Sequence, residues 1–275
     1  MRLTFVQPRP ELRPHIESFW VFECDAGLPS ADTSIAAPNG CAKLIIPYRN
    51  SLLSRHPGGR PQETKAHGLY FVGVQERPTI LTSAPRPTGF IAIEFSPHGA
   101  HRFLDLSMAD TANGLFAFED LRGRIGREWR EGLGNLPGAG RKVQYVQACL
   151  AASLREDRPS SAVVDHVVRT LKRTGGLTPI KTLEGQTGYS SRYLELLFKE
   201  QVGVSPKTLA RIFRFQRFYE KWARDRRYDL LTSEVYDYYH DQSHFAKEFK
   251  EFTGYAPRRF AAEVSNEFGR RLARR

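Results

Sequence analysis

The stretch HDQSHFAKEFKEFTG, residues 240–254, carries two messages at once. Phe245, Phe249 and Phe252 recur at i, i+4 and i+7, which marks one face of an amphipathic helix packed on a core. Asp241 stands where an N-cap carboxylate accepts from amides two or three positions on. Gly254 stands where a helix stops. The first turn of that helix, however, gathers Gln242, Ser243 and His244, polar side chains that core packing does not need.

A second copy of the pattern lies upstream. IKTLEGQTGYSSRYLELLFKEQVGVSP (180–206) and LLTSEVYDYYHDQSHFAKEFKEFTGYAP (230–257) each read as a short helix, a tight turn, a capping Ser or Asp, and a longer helix. Phe198, Lys199, Glu200, Gly203 and Pro206 match Phe249, Lys250, Glu251, Gly254 and Pro257 at equal spacing. Chance rarely keeps five positions in register. Short helix, turn, longer helix is the helix-turn-helix, whose second helix enters the major groove by its N-terminal end. The aromatic stripe then fixes the helix to its domain, and the polar first turn faces base edges and phosphates.

Between the copies lies SPKTLARIFRFQRFYEKWARD (205–225), a long basic helix with a Ser–Pro start. Upstream, AVVDHVVRTLKRTGG (162–176) reads as a helix with a glycine stop, and Thr178–Pro179 as the N-cap and first residue of the next. The polar break DRPSS (157–161) is the expected domain boundary. Ahead of it the pattern is different. SFWVF (18–22), AKLIIPY (42–48), GLYFVGVQ (68–75), TILTSA (79–84) and GFIAIEFSP (89–97) are β-branched and aromatic runs separated by Gly and Pro clusters. They predict an antiparallel sheet or open barrel. GAHRFLDL (99–106), LRGRIGREWREGLG (121–134) and RKVQYVQACLAASLRE (141–156) read as helical, so this domain has a helical end over about 121–156. The expected architecture is two domains, 1–157 mostly β and 158–275 all α.

Charge follows the same division. Residues 1–157 carry 18 Lys and Arg against 16 Asp and Glu, whereas residues 158–275 carry 23 against 14. The basic excess sits in the helical part, where a polyanion such as double-stranded DNA would bind. No apolar run approaches a membrane span, and MRLTFVQPRP has no signal-peptide core. Cys24, Cys41 and Cys149 are widely spaced and odd in number, so no metal pair or disulfide framework is expected, and a cytoplasmic protein is. No metal or other cofactor is expected. His98 and His101 lack a third ligand nearby in sequence and read as structural. Glu94 reads as a strand residue on the polar side. Phe19, Trp20 and Phe22 read as core. No nucleophile elbow, phosphate loop or metalloprotease motif is present.

Residues 160–263 resemble the DNA-binding domain of the AraC family of transcriptional regulators. DQSHFAKEFKEFTGYAPRRF (241–260) is similar to that family's second recognition helix and C-terminal signature. LRPHIESFW (12–20), APNGCAKLI (37–45) and FSPHGAHRFL (95–104) resemble a β-rich regulatory domain found ahead of some AraC-type domains. The resemblance implies two helix-turn-helix units joined by a long helix. It implies base-facing positions at Ser191, Arg192, Glu195 and Leu196 in unit one and at Gln242, Ser243, His244 and Lys247 in unit two. Lys199, Lys250, Arg211 and Arg214 are the phosphate-contacting candidates. The sequence departs from the family in three places. Glu234 and Tyr238 stand where a small Ala and a turn Gly are usual, and Leu196 stands where Arg or Lys is common. The near-neutral β-rich domain is expected to regulate, through a small-molecule effector, a homodimer contact or both. For the homodimer, the stripe Val143, Val146, Leu150 and Leu154 is the surface expected to be available. The alternative is an enzyme tethered to nucleic acid, with its chemistry in the β domain.

Overall fold

The computed structural model describes residues 1–28, 34–154, 161–225, 227–232, 234–264 and 267–273. The boundary expected at 157–161 lies outside these residues, apart from Ser161. The N-terminal part forms two antiparallel sheets. The larger has the strand order β1-β2-β9-β4-β7-β10, built from β1 (Arg2–Val6), β2 (Ile16–Cys24), β4 (Lys43–Arg49), β7 (Tyr70–Val72), β9 (Thr88–Phe95) and β10 (Leu115–Ala117). The smaller has the order β3-β8-β5-β6, from β3 (Ile35–Ala36), β5 (Leu52–Arg55), β6 (Gln62–Thr64) and β8 (Thr79–Thr82).

Successive strand residues point to opposite faces, so a strand covered on both sides must be apolar throughout. β9 is such a strand, with every residue buried. Ile91, Ile93 and Phe95 join one cluster, while Phe90 and Ala92 join another on the opposite face. β2 splits in the same way, Phe19 and Val21 against Trp20 and Phe22. Glu94 is the exception, and it corrects the polar-side expectation. It is 3% exposed, in register with Ser18 on β2 and Lys43 on β4, and receives a hydrogen bond from Asn39. The Lys43 ammonium lies 3.6 Å away. The burial cost of this carboxylate is offset by those partners.

Two helices close the first face. α1 (Phe118–Gly134) is kinked at Gly123, and α2 (Gly138–Ala152) packs Val143, Val146 and Leu150 into the core. The stripe expected to be open to a partner is therefore used up within the domain, and Leu154 packs on the same cluster. The chain is helical from α3 (Ala162–Arg173) onward, continuing with α4 (Ile180–Thr187), α5 (Ser191–Gln201), α6 (Pro206–Arg224), α7 (Val235–Tyr238), α8 (Gln242–Thr253), α9 (Pro257–Glu263) and α10 (Glu267–Ala273). Thr178 does not cap α4. Pro179 takes the cap position, and Thr178 shares a hydroxyl–hydroxyl hydrogen bond of 2.9 Å with Thr174. The helix expected over 230–239 shrinks to the single turn of α7.

The helical part is seated on the β part. Val164, Leu171, Leu194 and Leu209 share one buried cluster with the sheet residues Phe19, Ile91 and Phe95. Lys172 donates to Glu17 at 2.7 Å, and Gln216 donates to the carbonyl of Pro38. Gly40, at φ +77°, lies so close to α6 that an added Cβ would be 2.6 Å from Leu209 Cδ1. That loop lies within the stretch APNGCAKLI (37–45).

Two histidines are expected to make stability depend on pH. His15 is pushed down to about 4, mainly by burial and then by Arg102 and His98. His98 is also pushed down by burial, against the opposing pull of Asp165, whose carboxylate lies 3.8 Å away. Both bind a proton more readily in the unfolded chain, so the unfolded state gains protons first as pH falls. Stability is expected to be level above about pH 7.5 and to decline from the ordinary histidine range near 6.5 toward 4. Thermal melts across that series check this, and His15→Phe should flatten part of the decline.

Candidate DNA interface

Each recognition helix is built by local signals. In unit one, α4 ends at Gly188 with φ +74°, a left-handed turn that suits glycine. Ser190 caps α5 by accepting from the Tyr193 amide at 3.4 Å, and Glu184 accepts from the Ser191 amide at 2.5 Å. Leu194 and Phe198 are buried under α5, leaving Arg192, Glu195, Leu196 and Lys199 exposed and Ser191 half-buried. Leu196 is 59% exposed, so the departure from a basic residue places an apolar group on the outer surface.

Unit two reaches the same layout by another turn. Asp241 caps α8, accepting from the His244 amide at 2.7 Å. That bond and the neighbouring His240 hold its carboxyl below the usual range. Tyr238 does not adopt positive φ, because the turn is made by Tyr239 in an extended conformation at φ −131°, ψ 148°. Tyr238 instead sets its ring edge-on to Phe218 at 5.6 Å and beneath the Arg217 guanidinium at 4.6 Å. Glu234 turns away from the core to Lys221, with Arg217 at 3.4 Å and the Tyr228 hydroxyl at 3.1 Å. Lys221 first, and Tyr228 after it, hold the Glu234 carboxyl below its usual range. Both departures thus fasten α7 to α6. Phe245, Phe249 and Phe252 are buried, and Gln242, Ser243, His244, Lys247 and Lys250 are exposed. The His244 ring also meets the edge of Tyr239 at 5.4 Å.

Two expected phosphate contacts have another role. Arg211 donates to Glu248 at 2.7 Å and to Glu251 at 2.6 Å, and Arg214 reaches Glu248 at 3.1 Å. Glu248 is 2% exposed and also accepts from the Tyr239 hydroxyl at 2.9 Å. The charge of Arg211 and Arg214 is matched inside the protein, as the joint between α6 and α8. Lys199 and Lys250 stay on the surface. A tyrosine pair adds to this surface. Tyr189 and Tyr193, each about two-fifths exposed, stack at 4.8 Å across the N-terminus of α5. Their spacing of i, i+4 was the available signal.

A cavity of about 380 Å³ opens between the two sheets. Trp20, Ile45, Phe90 and Leu115 give it apolar walls, and Lys43, Arg55, His56 and Arg60 are its basic lining residues. Among the described residues no group of three His, Cys, Asp or Glu side chains could hold a metal ion, and no helix is long and apolar enough to cross a membrane.

Comparison with known proteins bears on both halves. Residues 183–263 match a family described as "Helix-turn-helix domain", and residues 4–116 match one described as "Domain of unknown function (DUF6597)". The F1 operon positive regulatory protein of Yersinia pestis is 35% identical over 74 residues, 27% of this chain. The match spans 24% of that relative, about a quarter of its length. Among solved structures, ToxT of Vibrio cholerae aligns at 11% identity over 89% of this chain and 99% of its own, with a TM-score of 0.48. A form of ToxT with an unsaturated fatty acid bound aligns at 12% identity over 91% and 97%, with a TM-score of 0.46. The domain match, the regulatory relative and the duplicated unit agree that residues 183–263 form a helix-turn-helix domain of the AraC type.

Proposed function

We propose that the protein reads two successive major-groove segments of one operator, with α5 in one and α8 in the next, and that residues 1–157 regulate residues 158–275. The observation that carries this reading is the parallel exposure of both capped first turns, with α6 and the Glu248 joint holding them in one body. Arg192 suits guanine, Gln242 suits adenine, and Ser191, Ser243 and His244 offer smaller donors and acceptors. Glu195 suits the cytosine amino group, Leu196 a thymine methyl, and Lys247 a guanine. Lys199 and Lys250 would lie against phosphates. The protein acts as a regulator, not an enzyme, in the cytoplasm. No specific observation favours the tethered-enzyme alternative.

The cavity gives regulation a place. Its volume falls within the range of small-molecule sites, about 300–1,000 Å³. Its described lining combines apolar walls with Lys43, Arg55, His56 and Arg60 and contains no carboxylate. That chemistry selects a small apolar anion as effector. A homodimer would use a surface other than the buried stripe of α2.

Selection of full-length protein on random duplexes tests the DNA reading. Gln242→Ala should relax base preference at one position only, by about 1–3 kcal/mol, with folding unchanged. Gln242→Ala that unfolds the domain, or that leaves selectivity intact, would contradict the outward assignment of that turn.

A further inference from the structure

One wall of the cavity comes from the far end of the chain. Phe268 and Leu272 of α10 line it beside Trp20 and Phe90. Phe268 is 1% exposed, and its ring meets Trp20 at 6.2 Å, Phe22 at 5.5 Å and Phe90 at 6.4 Å. Three rings of the large sheet thus receive a fourth from a helix that follows the DNA-binding units. The same short helix also grips α6. The Arg270 guanidinium lies 5.7 Å from the Trp222 ring, and Ala273 packs on the aromatic cluster of unit two. Arg271 bonds Glu267 at 2.9 Å and donates to the Met1 carbonyl at 3.1 Å, which holds the end of α10 to the first strand.

We propose that α10 completes the effector site: Phe268 and Leu272 close the cavity over the bound apolar anion, and α10 passes its occupancy to α6. This rests on the reading of the cavity as an effector site. A ligand in contact with Phe268 binds better when α10 is docked. By linkage, that ligand holds α10 docked by the same factor. The docked helix then fixes α6, which carries the two recognition helices, against the sheet. The effector therefore acts by tightening a contact already built, without a new one to the DNA-binding units.

The probe is 8-anilino-1-naphthalenesulfonate, an aromatic anion whose fluorescence rises out of water. Wild-type protein should bind it, and Val72→Phe, on a cavity wall contributed by β7, should weaken binding and so place the probe in the cavity. Phe268→Ala should lower affinity about tenfold, within the usual range of linkage between sites. Phe268→Leu, which keeps an apolar anchor and guards against misfolding, should restore most of it. In wild-type protein the probe should slow hydrogen exchange in 267–273 and 216–224 and shift DNA affinity, and both responses should be lost in Phe268→Ala. If wild-type protein binds the probe in a Val72-dependent way, yet Phe268→Ala binds it equally and exchange in 267–273 is unmoved, the role of α10 is overturned and the effector cavity stands. If wild-type protein binds no probe, or binds it regardless of Val72, the effector reading falls and takes the proposed ligand wall with it.

Discussion

Glu248→Ala is expected to destabilise the helical part by about 3–5 kcal/mol, the usual penalty for removing one partner of a buried ion pair. Glu248 is the hub of the joint between α6 and α8, shared by Arg211, Arg214 and Tyr239. Its removal leaves the largely buried Arg214 guanidinium without its carboxylate partner, over the Tyr239 ring 4.6 Å away. Arg211 keeps Glu251 at 2.6 Å and some access to water, which places the expected cost toward the lower end. Burial and the carboxylate hydrogen bond hold the Tyr239 hydroxyl protonated far above its ordinary range, and the substitution removes that acceptor as well. Urea unfolding followed by circular dichroism measures the loss. Glu248→Gln keeps the shape and one acceptor and should cost less. Equal stability of Glu248→Ala and wild type would mean that the joint contributes nothing.

Phe249→Ala is expected to cost about 3–5 kcal/mol through the cavity it leaves. Phe249 sits among Phe215 at 5.5 Å, Phe245 at 5.6 Å and Phe260 at 5.3 Å, drawn from α6, α8 and α9. No single neighbour can collapse into the space without abandoning the others. Protein that remains folded at low temperature should keep its base preference, because the exposed first turn is unchanged. Gln242→Ala should do the opposite and alter preference without altering stability. The two substitutions together separate the inner face of α8 from its outer face, with urea midpoints for one and selected duplexes for the other.

The sequence carried the helix-turn-helix units because their signals are local. Ser190, Ser205 and Asp241 cap the helices that the pattern assigned to them, and the aromatic stripe of α8 is buried as its spacing required. The two-sheet arrangement was only partly legible. β3, β5 and β6 are only two to four residues long, too short for an alternating period to be read from them. Nothing in the local sequence marks Glu248 as buried, since its partners Arg211 and Arg214 lie far away in sequence on α6. The same blindness to distant partners hid the burial of Glu94, the inward face of α2 and the docking of α10. Glu234 and Tyr238 broke the family pattern, and their compensation by Lys221, Arg217 and Phe218 is visible only in three dimensions. Of the proposed base-facing positions, all but the half-buried Ser191 are exposed.

A hydroxyl-radical footprint of the full-length protein on its selected operator tests the central claim most directly. Two recognition helices on one chain should protect two segments on one face of the duplex, about 10–10.5 base pairs apart, with Arg192→Ala weakening one and Gln242→Ala the other. Protection of a single segment, unchanged in position by either substitution, would contradict the reading of two working units.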